Sequence, residues 1–387
     1  MLLIKNATIL TMEGDQDDRY EGSILIEDGK IKALGEVSDK DIKDVIDAKG
    51  ALVLPGLIDA HCHLGLAEDA IGFEGNDINE MTNPLTPEMR AIDGINPRDK
   101  NFSEAVEGGV LAVSTGPGSA NCIGGTFVVM KTHGERVDDM ILREPSALKM
   151  AFGENPKRVY NAKNVTPMTR MGTAAKIRSK LYEAKEYYEK RQSSDLKERP
   201  KFDLGLEAIV PVFDKEIPLK IHAHRADDIF TGIRIAKEFD LPFTLDHATE
   251  GHLIADFLKE EGASCIVGPS FGARSKFELQ NKSYVTAKVL SEKGIPVAIM
   301  TDHPVIPIHH LNMCGQYAVI AGMDHYEALK ALTINPARIL KVDQRIGSLK
   351  EGKDADLVLW SGDPLNINSH VIMALMDGQV IYQRDDE

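Results

Sequence analysis

Pro55-Gly56-Leu57-Ile58-Asp59-Ala60-His61-Cys62-His63 is the stretch that decides the fold. An apolar run leaves a Pro-Gly pair and ends in His-x-His. Residues i and i+2 of a strand share a face, so both imidazoles can point into one site at the strand's C-terminal end. That is the end where α/β-barrel enzymes place their chemistry. On the same strand Cys62 points away from the two histidines. A lone His-x-His is weak, so the weight rests on what other strand ends present.

Three more strand ends carry the same kind of group. Leu219-Lys220-Ile221-His222-Ala223-His224 ends one, Leu245-Asp246-His247 the next, and Ala298-Ile299-Met300-Thr301-Asp302 the last. Imidazole and carboxylate together suit zinc and similar borderline divalent cations. Packing alone explains any one of these ends but not the series.

The rhythm around them predicts a (β/α)8 barrel over residues 55–342. Eight apolar runs read as strands: 51–59, 110–115, 126–131, 147–152, 218–223, 242–248, 264–268 and 296–302. The third carries the weakest pattern. Nearly continuous apolar runs are expected of strands buried on both faces. Helical patterns at Ala226–Phe239, Leu253–Glu260 and Tyr284–Lys293 separate them, which argues for βαβ units and a parallel sheet. Residues 64–100 and 153–170 are polar and read as loops. Met171–Arg191 reads as an amphipathic helix on the spacing of Ala174, Ile177, Leu181, Ala184 and Tyr188.

Both ends of the chain change grammar. Short apolar runs flank Asp28-Gly29 near the start and Asp377-Gly378 near the finish, and Asp-Gly between such runs signals a hairpin. Residues 1–54 with 343–387 are therefore expected to build one small β-sandwich domain from both termini.

Composition narrows the function classes. Of 387 residues, 43% are hydrophobic and 27% charged, as in a soluble enzyme. A formal net charge of −15 argues against nucleic acid or an anionic membrane as partner, because both need a basic footprint. No signal-peptide pattern opens the chain and no apolar run is long enough to span a bilayer. Cys62, Cys122, Cys265 and Cys314 form no Cys-x-x-Cys pair and read as free thiols. The expectation is a cytoplasmic protein acting on a small molecule, and a homo-oligomer.

The opening stretch, together with Gly347-Ser348-Leu349-Lys350-Glu351-Gly352-Lys353-Asp354-Ala355-Asp356-Leu357-Val358 and Thr333-Ile334-Asn335-Pro336-Ala337, resembles the signatures of the amidohydrolase superfamily. The likeness spans nearly the whole chain and is closest to the imidazolonepropionase-like and prolidase-like branch. The resemblance implies one or two divalent ions, zinc by expectation. His61 and His63 would hold the more buried metal, with His222 and His247 on the second. Asp302 would ligate the buried metal and serve as catalytic base and proton shuttle. Lys149 matches the fourth-strand lysine that binuclear members carboxylate to bridge the metals; the alternative is a lysine paired with Asp302 or Glu154. His224 could replace His222 as ligand, contact substrate or order the site. His303 is a second substrate-side candidate, and His309 and His310 could line the entrance. Gly116-Pro117-Gly118-Ser119 and Gly124-Gly125 lack the Lys-Ser/Thr of a phosphate loop and read as a tight turn.

Deaminases and imidazolonepropionases of the family carry a catalytic glutamate three residues after the fifth-strand histidine. Here that position is Arg225. Arg225, with Arg90, Arg158 or Arg274, could grip a substrate carboxylate bidentately. The resemblance thus implies a metal-dependent hydrolase of an amide or cyclic amide C–N bond. Dipeptides, N-acyl amino acids and imidazolone- or hydantoin-like rings are the expected substrate types. The alternatives are a deaminase or lactonase on the same scaffold; a non-catalytic scaffold protein is disfavoured by the full ligand set.

Overall fold

Two hydrogen-bonded sheets meet at a single residue, Gly56. The computed structural model describes residues 1–38 and 42–385. The N-terminal strands are β1 (Leu2–Ile9), β2 (Tyr20–Glu27), β3 (Lys30–Gly35), β4 (Asp44–Asp47) and β5 (Leu52–Pro55). The barrel strands follow: β6 (Leu57–Cys62), β7 (Val110–Thr115), β8 (Ile123–Lys131), β9 (Ile141–Ala151), β10 (Leu219–Ala223), β11 (Phe243–His247), β12 (Cys265–Val267) and β13 (Val297–Ile299). The chain ends on β14 (Leu357–Trp360), β15 (Val371–Met376) and β16 (Gln379–Gln383). Between β5 and β6 stands only Gly56, where a Cβ would lie 2.5 Å from the Leu111 Cβ. No larger residue fits that switch without moving the barrel strand beside it.

The terminal strands form one connected sheet in the order β16-β15-β14-β5-β1-β2-β3, with β4 also paired to β1. Both ends of the chain contribute, as the sequence predicts. Asp28 and Gly29 both take positive φ (51° and 76°), and so do Asp377 and Gly378 (48° and 73°), the conformation a tight two-residue hairpin needs. The sheet closes on its own apolar core of Ile4, Ile24, Val53, Leu357, Leu375 and their neighbours.

The barrel sheet runs β6 to β13 in sequence order. All eight expected strands are present, but the first, expected over 51–59, is divided at Gly56: Leu52–Pro55 pairs in the terminal sheet and only Leu57–Cys62 enters the barrel. One departs from the parallel pattern: β8 is antiparallel to both β7 and β9, while every other neighbouring pair is parallel. The reason is the connection. Residues 116–122 carry no helix, and so short a link can return the chain antiparallel but cannot make a parallel crossover.

No strand ladder joins β13 to β6 among the described residues. The seam is closed at the upper end by site residues: the Asp302 amide donates to the His61 carbonyl (3.3 Å) and the His63 amide to the His303 carbonyl (2.8 Å). Lower down, Ile58 and Ile299 donate to the carbonyls of Leu332 and Ala331. A helix (Ile334–Ile339) plugs the barrel floor against Ile58, Ala112, Val129, Ile266 and Ala298.

The expected helix at Met171–Arg191 forms over Arg170–Arg191, with the Thr169 side chain capping its first turn. The stretch read as a loop at 153–170 instead contains a helix, Glu154–Ala162. Its first amide donates to the Glu278 carboxylate (2.9 Å), a tertiary cap that its polar composition does not reveal. All four cysteines are free and buried, and Cys62 sits in the apolar layer outside the barrel. Among the described residues no helix is long and apolar enough to cross a membrane.

Candidate active site

The C-terminal ends of β6, β10, β11 and β13 converge on one cavity of about 440 Å³, lined by His61, His63, His222, His224, His247 and Asp302. The Asp302 Oδ1 lies 3.3 Å from His61 Nε2 and 3.4 Å from His63 Nε2. Donor atoms of His61, His247 and Asp302 all fall within 4.8 Å of one another, and so do those of His222, His224 and His247. His247 belongs to both groups.

Two of the imidazoles are aimed by main-chain carbonyls. His63 Nδ1 bonds the Gly116 carbonyl (2.7 Å) and His247 Nδ1 the Gly268 carbonyl (2.8 Å). A carbonyl only accepts, so each Nδ1 carries a proton and each Nε2 faces the cavity, the arrangement by which metal-binding histidines are oriented. The glycine turn after β7 therefore orients the site, because its Gly116 carbonyl holds His63. His224 Nδ1 pairs with the Thr249 hydroxyl (2.8 Å).

Burial disfavours the charged form of His222, His224 and His247. Burial, then the neighbouring His247, depresses the basicity of His222 well below the ordinary histidine range. Burial does the same to His224, and it takes His247 down to about 3. Burial favours a neutral Asp302, yet His247, His61 and His63 outweigh it and hold the carboxyl well below its ordinary value. His247 and Asp302 also adopt left-handed backbone (φ 70° and 56°), a conformation that costs energy in non-glycine residues and clusters at functional sites.

Behind the histidines lies a charged layer. Lys149 on β9 and Lys220 on β10 are neighbours in register and both are buried. Their ammonium groups reach the two oxygens of Asp246, at 3.1 Å and 3.0 Å. Phe127, on the reversed strand β8, floors this layer: its ring stacks on His61 at 5.3 Å and carries both ammonium groups within 5.4 Å and 5.3 Å of its centroid. Asp59 ties β6 to the last strand end by accepting from the Thr301 amide (3.1 Å) and hydroxyl. Burial lifts the Asp59 carboxyl to about 7.

This donor set fits a divalent ion. Neutral imidazoles and an ionised carboxylate are the ligands zinc-class metals take. Both ring nitrogens of buried His222 have no hydrogen-bond partner, which is costly unless something else meets them. A model of the amidohydrolase family matches residues 52–382. The chain belongs to the amidohydrolase family. Among curated relatives it is 28% identical over 421 residues to the amidohydrolase tasK of Hapsidospora irregularis, covering 97% of this chain and 42% of that protein. The chain thus spans less than half the length of that relative. It is 26% identical over 403 residues to an imidazolonepropionase of Thermoplasma acidophilum, covering 95% and 91%. The crystal structure of an amidohydrolase from Thermotoga maritima MSB8 superposes with a TM-score of 0.96 at 40% identity, covering 99% of this chain and 100% of that one. As a member of the amidohydrolase family the protein is a hydrolase.

The structure gathers His61, His63, Lys149, His222, His224, His247 and Asp302 around this centre. It does not bring Arg225 there. The guanidinium turns back to Asp227 (3.0 and 3.1 Å) and lies over Phe277, lining a neighbouring cavity. His303 also faces away, into a cavity it shares with His309; only its main chain touches the site. Lys149 pairs with Asp246, not with Asp302 or Glu154. Of the candidate arginines, Arg158 lines the histidine cavity, whereas Arg90 is held by Glu144 and Arg274 bonds the Lys282 carbonyl. Lys276 and Lys282, which no sequence pattern singles out, also line the cavity.

Asp246 and Lys220 are the main residues that sequence reasoning missed. Asp246 stands beside His247, and neighbours on a regular strand face opposite ways. The left-handed backbone at His247 breaks that alternation, so both side chains reach the interior. The available signal was a carboxylate and a lysine inside two apolar runs, an expensive placement unless they meet.

Proposed function

We propose that this amidohydrolase cleaves the amide or cyclic amide bond of a small molecule bearing a carboxylate, using one or two divalent ions, zinc first among them. The observation that carries the reading is the convergence of His61, His247 and Asp302 donors within 4.8 Å, beside the unpartnered nitrogens of His222. In this reading His61, His63 and Asp302 hold the more buried ion, and His222 and His247 hold the second, with His224 as the alternative to His222. Lys149, carboxylated, would bridge the two. Asp246, already in contact with Lys149 and His61, orients both.

The chemistry such ions supply when bound is acidification of water and polarisation of a carbonyl. The protein's own groups then manage protons and position. Asp302 stays ionised and is free to take a proton at its carboxylate from the attacking water and pass it to the leaving nitrogen. The main-chain bonds to His63 and His247 fix which ring nitrogens face the reaction. Arg158, Lys276 and Lys282 give the cavity a cationic wall suited to a substrate carboxylate. Arg225, standing where the family's deaminases carry a glutamate, leaves no carboxylic acid at that position for deamination.

Residues 1–54 with 343–387 make up the β domain and 55–342 the catalytic unit in this scheme, and the protein works in the cytoplasm as a homo-oligomer. The test is elemental analysis of gently purified protein, followed by turnover assays on dipeptides, N-acyl amino acids, hydantoins and lactones. Bound zinc-class metal with hydrolysis of a carboxylate-bearing amide supports the proposal. Absence of metal, or activity confined to lactones or to amino-group release, overturns it.

A further inference from the structure

Beside the histidine cavity, across Arg158, lies a second cavity of about 600 Å³. Its walls come from the helix Glu154–Ala162 and from Arg225, Asp228 and the turn Phe277–Leu279. Glu278 forms the partition. One carboxylate oxygen sits 3.5 Å from His224 Nε2 on the catalytic side, and the other accepts the Glu154 amide on the far side.

The cavity contains charges the fold does not satisfy. Asp228 is 4% exposed, and its Oδ2 has no hydrogen-bond partner. Its nearest cation, Arg170, stands 3.7 Å away and is engaged by Asp227, as is Arg225. Asp228 lies in the first turn of the helix Ala226–Glu238, where a carboxylate is favoured by the helix dipole. That accounts for an acidic residue but not for a buried oxygen left unpaired, which costs free energy unless a donor arrives. Lys157 and Arg158, which line the same cavity, have no ion-pair partner among the described residues. Phe277 lines the cavity with an exposed ring (67%) that carries the Arg225 guanidinium over it.

A simple anion entering here meets Asp228 and Glu154. A simple cation meets Lys157, Arg158 and Arg170. A ligand carrying both charges on one carbon satisfies both sets of groups. We infer that this second cavity binds a free α-amino acid as its zwitterion, with the ammonium on Asp228, the carboxylate on Arg158 and Lys157, and an apolar side chain against Phe277 and Met168. The site adjoins the catalytic cavity and shares Arg158 with it, but it would hold under any assignment of the metal ligands.

Isothermal titration calorimetry of the purified, metal-loaded enzyme tests this with three probes: L-leucine, N-acetyl-L-leucine and isopentylamine. Leucine should bind, and the two analogues, each lacking one charge, should bind at least about tenfold more weakly, the scale of one charged hydrogen bond. Asp228→Asn should weaken leucine by a similar factor while turnover stays unchanged, and Phe277→Ala should weaken it several-fold. A thermal melt checks that Asp228→Asn is folded. Should it not be, Phe277→Ala decides alone, because so exposed a ring carries little of the fold. No leucine binding, equal binding by either analogue, or undiminished affinity in the deciding variant overturns the inference.

Discussion

The Asp246 carboxylate lies between two buried ammonium groups, 3.1 Å from Lys149 and 3.0 Å from Lys220, and none of the three side chains is more than 1% exposed. Burial alone would favour the neutral acid, but Lys220, His61 and Lys149 hold Asp246 well below the ordinary carboxylate range. Asp246→Asn keeps the shape and removes the carboxylate that both ammonium groups contact. Breaking a buried ion pair from one side costs about 3–5 kcal/mol. Urea unfolding of the metal-stripped variant should show a loss of that order. A loss below about 1 kcal/mol would mean that the lysines do not depend on this carboxylate.

Lys131, at the end of β8, makes the corresponding link between barrel and terminal sheet. Its ammonium meets Asp354 (3.0 Å), Asp356 (2.9 Å) and Asp377 (2.7 Å). Burial works against its charge, yet Asp356, Asp377 and Asp354 together raise its pKa above the usual lysine value. Lys131→Met leaves three clustered carboxylates without that cation. The expected result is a loss of about 3 kcal/mol or more, with the terminal sheet melting ahead of the barrel. Differential scanning calorimetry should resolve two transitions where the parent shows one. A single transition at an unchanged midpoint would show that the apolar contacts alone hold the two sheets together.

Asp228 predicts a pH dependence of known sign. Burial, with Asp227 beside it, raises its carboxyl to about 6 in the folded protein from 3.8. Between those values the folded chain binds a proton that the unfolded chain does not. The stabilisation is therefore full below about 4 and is lost as pH rises through about 6. Asp228→Asn has no proton to lose. Without added amino acid, the variant should gain on the parent across that window, ending about 1–3 kcal/mol more stable at pH 8. Parallel denaturation curves at every pH would mean that the carboxyl titrates normally.

The part of the site legible in the sequence was the part written at strand ends. His61, His63, His222, His247 and Asp302 each stop an apolar run, and a barrel brings such ends together whatever the loops do. Strand direction was not legible, because an apolar run reads the same both ways; only the short link 116–122 marks β8 as reversed. Arg225 follows its strand closely enough to suggest the cavity, but two residues on Asp227 supplies a carboxylate that pulls the guanidinium outward. The helix Glu154–Ala162 was hidden for a related reason. Its cap is the distant Glu278, and no local pattern announces a partner 124 residues away.

Asp302→Asn separates the proposed base from its surroundings. The Asp302 amide closes the barrel seam on the His61 carbonyl at 3.3 Å, a main-chain bond the substitution leaves alone. Its backbone is left-handed, a conformation asparagine tolerates better than most residues. The fold should therefore survive. The amide side chain keeps an oxygen for a metal but cannot take up a proton, so the proton-transfer contribution should vanish while binding changes little. Turnover is expected to fall by about 10²–10⁴ with KM near the parent value, and elemental analysis should find most of the metal retained. Loss of metal in proportion to activity would make Asp302 a ligand without a proton-transfer role. Turnover within about tenfold of the parent would remove it as the base altogether.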